Sequence, residues 1–183
     1  MIVDIERSVD QQDRDHALRT GIAQLLPELR AAARLLTASR AEADDLVQDA
    51  VLRMLRGMDG FVIAPEHAGD LSAALRPWGL TVLRNAFRES WRRSRRERAH
   101  LDAQPRDEEG HSGGQEAAAR MRDLARALSA LPPMLREALV LVGAHGLSHE
   151  EAAAICAVPV GTMKARVSRA RRQLAGTLGA VID

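Results

Sequence analysis

The chain has 183 residues, a formal net charge of +1, two Trp, two Phe, no Tyr and one cysteine. That length allows one large or two small domains, and a lone thiol excludes an internal disulfide and suits a reducing compartment. No apolar run is long enough to cross a membrane and no signal-peptide pattern opens the sequence, so a cytoplasmic protein is expected.

Ala, Leu and Arg dominate and all favour helix, while β-branched runs of strand length are missing. The expected fold class is all-α, with two small helical domains. With so few aromatics the core must be built from Leu, Ala, Val and Met. Residues 1–19 are largely polar and read as a flexible N-terminus. A first helix is expected from about Gly21 to Leu36, with Ile22, Leu25, Leu26, Leu29, Ala33 and Leu36 on one face. Ser39 and Glu42 have the spacing of a capping box and open a second helix. Leu46, Val47, Ala50, Val51, Met54 and Leu55 form its buried stripe, and Gly57 is a plausible stop. Residues 57–76 read as a loop with a short helical turn around Leu71 to Leu75. Pro77 suits the first turn of a third helix reaching about Arg98, with Leu80, Leu83, Phe87 and Trp91 inward. These elements make a first domain over 20–98. Acid, Pro105 and the Gly113-Gly114 pair mark residues 99–117 as a linker. A second domain over 118–178 begins with a helix ending before Pro132-Pro133. A helix from Met134 to Ala144 follows, and Gly146 breaks it.

Residues 148–172 carry the most information. Ser148 and Glu151 form a second capping box, Ala157-Val158 makes a turn, and Pro159 starts another helix. On that helix Val160, Met163, Val167, Ala170 and Leu174 repeat at helical spacing. Gly161, Thr162, Ala165, Ser168, Arg169 and Arg172 lie opposite, flanked by Lys164 and Arg166. A helix, a tight turn and a second helix with a basic outer face is a helix-turn-helix pattern. Guanidinium and ammonium groups neutralise phosphates, and arginine also bonds a guanine edge at two points. A solvated basic helix in an ordinary bundle is the bland alternative. A second basic block lies between Arg84 and Arg98, with seven Arg and two Glu. Two basic blocks separated by acidic ones imply two anion-facing surfaces.

The stretch "LSALPPMLREALVLVGAHGLSHEEAAAICAVPVGTMKARVSRARRQL" resembles region 4 of the extracytoplasmic-function (ECF) sigma factors, in Leu131-Pro132, Arg136-Glu137, Gly146-Leu147-Ser148 and Gly161 to Ala170. "ADDLVQDAVLRML" resembles region 2.2 of that family, and "WGLTVLRNAFRESWRRSRRE" resembles regions 2.3 and 2.4. The phrase "REALVLVGAHGLSHEEAAAIC" is most similar to the general-stress-response group.

The resemblance implies a sigma factor that binds core RNA polymerase and promoter DNA under the control of an anti-sigma factor. It implies polymerase docking through Asp45, Gln48, Asp49, Leu52 and Arg56. It implies contact with the minus-10 element through Trp78, Asn85, Arg88, Arg92, Arg93 and Arg96. Thr162, Lys164, Ala165, Arg166, Ser168, Arg169 and Arg172 would meet the minus-35 element. For Trp78, a wedge between bases and ordinary core packing stand as equal readings. The stretch between Phe61 and Trp78 is longer than in relatives, so promoter-reading residues there are not carried over.

No phosphate-binding glycine loop or nucleotide fingerprint points to an enzyme or a cofactor. His145, His149 and Cys156 invite a zinc reading, but Gly146 separates the histidines and no fourth ligand has suitable spacing. Two other classes share some of these features. A helix-turn-helix regulator without polymerase docking would need a sensor or dimerisation domain, which the N-terminal half does not resemble. A sigma mimic that sequesters an anti-sigma factor would carry a receiver domain and needs no basic recognition face.

Overall fold

Apolar stripes at helical spacing become the inner faces of the helices in this computed structural model, which describes residues 2–100 and 124–182. In chain order these are α1 (Ile2–Leu36), α2 (Arg40–Gly57), α3 (Leu71–His100), α4 (124–130), α5 (Pro133–Leu139), α6 (His149–Cys156) and α7 (Val160–Ile182). Short 3-10 turns at Met58–Gly60 and Pro65–His67 lie between α2 and α3, and a π-helical turn, Val140–Ala144, extends α5. No strand occurs among the described residues.

The first three helices pack on one another. Leu29 and Ala33 of α1, Ala50 and Met54 of α2, and Leu80 and Leu83 of α3 are all essentially closed to solvent. Burying one such leucine or methionine side chain contributes about 1.5–3 kcal/mol. Gly79 admits this packing. A methyl group there would collide with the Leu25 side chain and press on Met54. Ser39 caps α2 as expected, its side chain accepting from the Glu42 amide at 3.1 Å. The Glu42 carboxylate in turn accepts from the Ala38 amide at 3.0 Å, one residue earlier than in a strict box.

Three boundaries differ from the sequence reading. α1 starts at Ile2, so the segment expected to be flexible is helical. Leu18 gives it a buried anchor and Arg14 donates to the Phe61 carbonyl at 2.6 Å. α3 starts at Leu71, six residues before Pro77, with the Asp70 carboxylate accepting from the Ala73 amide at 2.9 Å. Pro77 therefore sits inside the helix, where it has no amide for the Ala73 carbonyl. The helix expected from Met134 to Ala144 ends in the π-turn, closed by the His145 amide bonding the Val140 carbonyl at 3.1 Å. Residues 101–117 of the expected linker lie outside the described residues.

The two helical domains share a core in this structure. Ala138, Leu141, Ala152, Ile155, Met163 and Val167 of the second belong to the same apolar cluster as Leu29, Met54 and Leu83 of the first. Leu35 of α1 also packs on the smaller cluster of Leu128, Leu131, Leu135 and Ala170.

Candidate nucleic-acid interface

The α6–α7 unit is fixed by its caps. Ser148 accepts from the Glu151 amide at 3.1 Å, and the Glu151 carboxylate accepts from the Ser148 amide at 2.7 Å. That backbone bond, followed by the bond to the Ser148 side chain, holds the Glu151 carboxyl below the ordinary glutamate range. α6 stops at Ala157, which adopts a left-handed conformation at φ 50° and bonds back to the Ala153 and Ala154 carbonyls. The chain then turns through Pro159 into α7, whose Met163, Val167 and Ala170 are buried.

On the other side of α7, Thr162, Lys164, Ser168, Arg169 and Arg172 are exposed, while Ala165 and Arg166 are half-buried. Lys164 lies 4.0 Å from Glu150, a loose pair between two exposed groups. Gly161, Thr162, Ala165, Arg166 and Arg169 line a cleft of about 420 Å³ against Met134 and Leu135. One guanidinium nitrogen of Arg166, Nη1, is buried without a hydrogen-bond partner, and Nη2 lies 3.7 Å from the Met134 sulfur.

α3 carries the second basic surface. Asn85, Arg92, Arg93 and Arg96 are exposed. Asn85 accepts from Arg84 through its side-chain oxygen at 3.2 Å, leaving its amide nitrogen unused in that bond. Trp78 is half-buried, its ring 4.7 Å from that of Phe61 and tilted by 40°. Arg88 turns away from the exposed arginines and reaches into the second domain, its Nε 3.4 Å from the Glu137 carboxylate.

The α2 face holds Asp45, Gln48, Leu52 and Arg56 in solvent, with Asp49 partly covered. Leu52 is 50 % exposed and brings an apolar side chain to this otherwise polar face. The sequence reading missed Arg53, which bridges Asp49 at 2.9 Å and Glu89 of α3 at 2.8 Å. Its i, i+4 spacing from Asp49 was the available signal.

The sequence reading also assigned no site role to Glu137. This carboxylate is 1 % exposed and bonds Arg84 of α3 at 3.2 Å. Burial raises its pKa, while Arg84 and Arg88 act in the opposite direction. Nothing local in the sequence announces the contact, because Arg84 and Glu137 lie 53 positions apart. Elsewhere between the two domains, Arg76 bonds Glu28 and the His145 carbonyl, each at 2.8 Å. Among the described residues, no group of three or more His, Cys, Asp or Glu is arranged to hold a metal ion. No helix among them is long and apolar enough to cross a membrane.

The sigma-70 region 2 family matches residues 22–97, and the sigma-70 region 4 family matches residues 121–174. The ECF RNA polymerase sigma factor EcfG of Rhodopseudomonas palustris is 42% identical over 162 residues, covering 88% of this chain and 85% of that protein. This chain belongs to the ECF sigma factor family. Its fold is similar to the sigma factor RpoE of Bartonella quintana, solved with the anti-sigma factor NepR. That similarity has a TM-score of 0.73 at 35% identity, over 88% of this chain and 96% of that one. CnrH, solved with the cytosolic domain of CnrY, is similar with a TM-score of 0.64 at 25% identity, over 90% and 89% of the two chains. In this sigma factor, α2 and α3 therefore lie in region 2, and the α6–α7 helix-turn-helix lies in region 4.

Proposed function

We propose that this ECF sigma factor directs core RNA polymerase to its promoters by dividing the work among three helix faces. Asp45, Gln48, Asp49, Leu52 and Arg56 on α2 dock on the polymerase. The exposed part of α3, with Asn85, Arg92, Arg93 and Arg96, follows the minus-10 DNA. Arg88 joins it once released from Glu137, and Trp78 flanks it. Thr162, Lys164, Ala165, Arg166, Ser168, Arg169 and Arg172 on α7 meet the minus-35 element. The observation that carries this reading is α7 itself. Its apolar side is buried on the domain, and its arginine-bearing side faces solvent beside a capped tight turn.

The regulon belongs to a stress response of the general-stress type, and an anti-sigma factor holds the protein inactive. The likeness to EcfG and to RpoE solved with NepR supports both statements. Run-off transcription with purified core enzyme over a promoter library tests the function. The expected outcome is transcripts from a subset of promoters only when this protein is added, suppressed by the cognate anti-sigma protein. Template-independent or absent transcription with active core enzyme removes the sigma reading.

A further inference from the structure

Glu137 sits where α5 of the second domain meets the arginines of α3. It is closed to solvent and bonds Arg84 Nε at 3.2 Å. Arg88 Nε lies 3.4 Å from its other oxygen, too poorly aligned for a hydrogen bond. Arg166 of the recognition helix packs on the same α5 that carries Glu137, its Nη2 3.7 Å from the Met134 sulfur. One carboxylate thus faces two guanidinium groups of α3. Arg88 belongs to the basic track of α3, and Arg166 to the basic face of α7. The exposed arginines of each surface, Arg92 and Arg169 among them, take no part.

We propose that Glu137 is an internal stand-in for a DNA phosphate, which holds the free sigma factor in a closed resting form by occupying Arg88 of the DNA-facing surface on α3. The chemistry is the same in both settings, because a guanidinium pairs equally with a carboxylate or a phosphate oxygen. The closed form satisfies its charges incompletely. Glu137 Oε1 and Arg166 Nη1 are both buried without a hydrogen bond. A partly satisfied buried network is costly, so a ligand offering better partners displaces it. Duplex DNA is such a ligand, since it presents several phosphates where Glu137 presents one. Two further contacts close the same seam. Arg136 donates to the Leu36 carbonyl at 2.6 Å. Arg76 donates to the His145 carbonyl, beside a 3.2 Å contact between His145 Nδ1 and Glu28.

The proposal rests on Arg88 being a DNA contact, so its test separates closure from DNA binding. Arg84→Met leaves Arg88 in place and deprives Glu137 of its hydrogen-bonded partner. An incompletely compensated buried carboxylate then drives the seam open to water. Small-angle scattering of the full, folded chain without polymerase should show a larger radius of gyration than wild type. Binding to a random-sequence duplex should tighten, and its salt dependence should steepen by about one for each phosphate contact regained. Arg76→Met weakens the seam at its more exposed margin and decides the question if Arg84→Met does not fold. Wild-type dimensions in every folded variant overturn the closed form. Expansion without stronger duplex binding overturns the role of Glu137 as a phosphate substitute.

Discussion

Arg136 shows how one side chain serves several backbones. Its guanidinium donates to the carbonyls of Leu36, Ser129 and Leu131, at or near the ends of α1 and α4. Such terminal carbonyls have no partner within their own helix, and a cation there also complements the helix dipole. Burial lowers the pKa of Arg136, but an arginine in this setting stays charged. Arg136→Met strands those acceptors, and urea denaturation should show a loss of about 2–4 kcal/mol. A loss below about 0.5 kcal/mol would mean that water replaces the guanidinium without cost. Ala157 gives the opposite sign. Its left-handed conformation is unfavourable for any residue with a Cβ. Ala157→Gly should therefore stabilise the fold by about 0.5–1 kcal/mol after the loss of backbone entropy. On α7, Arg169 is exposed whereas Arg166 is half-buried against Met134. Arg169→Ala should weaken minus-35 binding by about 1–3 kcal/mol if it bonds a base edge at two points. A uniform loss across sequences would make it a phosphate contact instead.

Among the described helices, α3 packs against α1, α2, α5 and α6. Its Gly79 lies against α1 and α2, and Gly79→Ala should cost about 1–3 kcal/mol by overpacking, visible as a lower melting temperature. Asp49 of α2 reaches α3 through Arg53 and Glu89, whereas Asp45 makes no such bridge. Asp45→Lys should weaken core-polymerase binding and leave thermal stability unchanged. Asp49→Lys should lower both, and equal stability in the two variants would show that Arg53 transmits nothing. The same helices show what a sequence reveals. The stripes Ile22 to Leu36, Leu46 to Leu55 and Met163 to Ala170 were legible because burial imposes a period on neighbouring residues. Both serine caps were legible because their spacing is local. The start of α1 was not, since the all-polar run of residues 10–16 separates Ile2, Ile5 and Val9 from the stripe that begins near Leu18. The start of α3 was misread because Pro77 outweighed Asp70, whose carboxylate supplies the actual cap. The candidate faces on α2 and α7 were legible as periodic polar stripes. The basic track of α3 was legible from its arginines, but the pairing of Arg84 with Glu137 was not. An ion pair that spans 53 positions leaves no periodic trace.

At the scale of the whole molecule, the shared core makes buried groups report on the integrity of the fold. Cys156 is 3 % exposed, and burial pushes its thiol pKa up. A raised folded-state pKa means that stability is fully present below the unfolded thiol's pKa and is lost as pH rises through the folded value. The urea midpoint should therefore fall in the alkaline range, and Cys156→Ala should remove part of that fall. An identical alkaline decline in the variant would assign it to other groups. The π-turn at Val140–Ala144 has a different consequence, for the number of residues the chain can tolerate there. It holds one residue more than an α-helical turn. Deleting Gly143 would let α5 continue as regular helix, and everything after it would rotate by about 100° relative to the first domain. Every side chain of α7 would survive the deletion with its neighbours on that helix intact. They would nonetheless point elsewhere, and the His145 carbonyl would leave Arg76. In this segment, counting residues matters more than choosing them, so an insertion or deletion should be far less tolerated than a substitution at the same position.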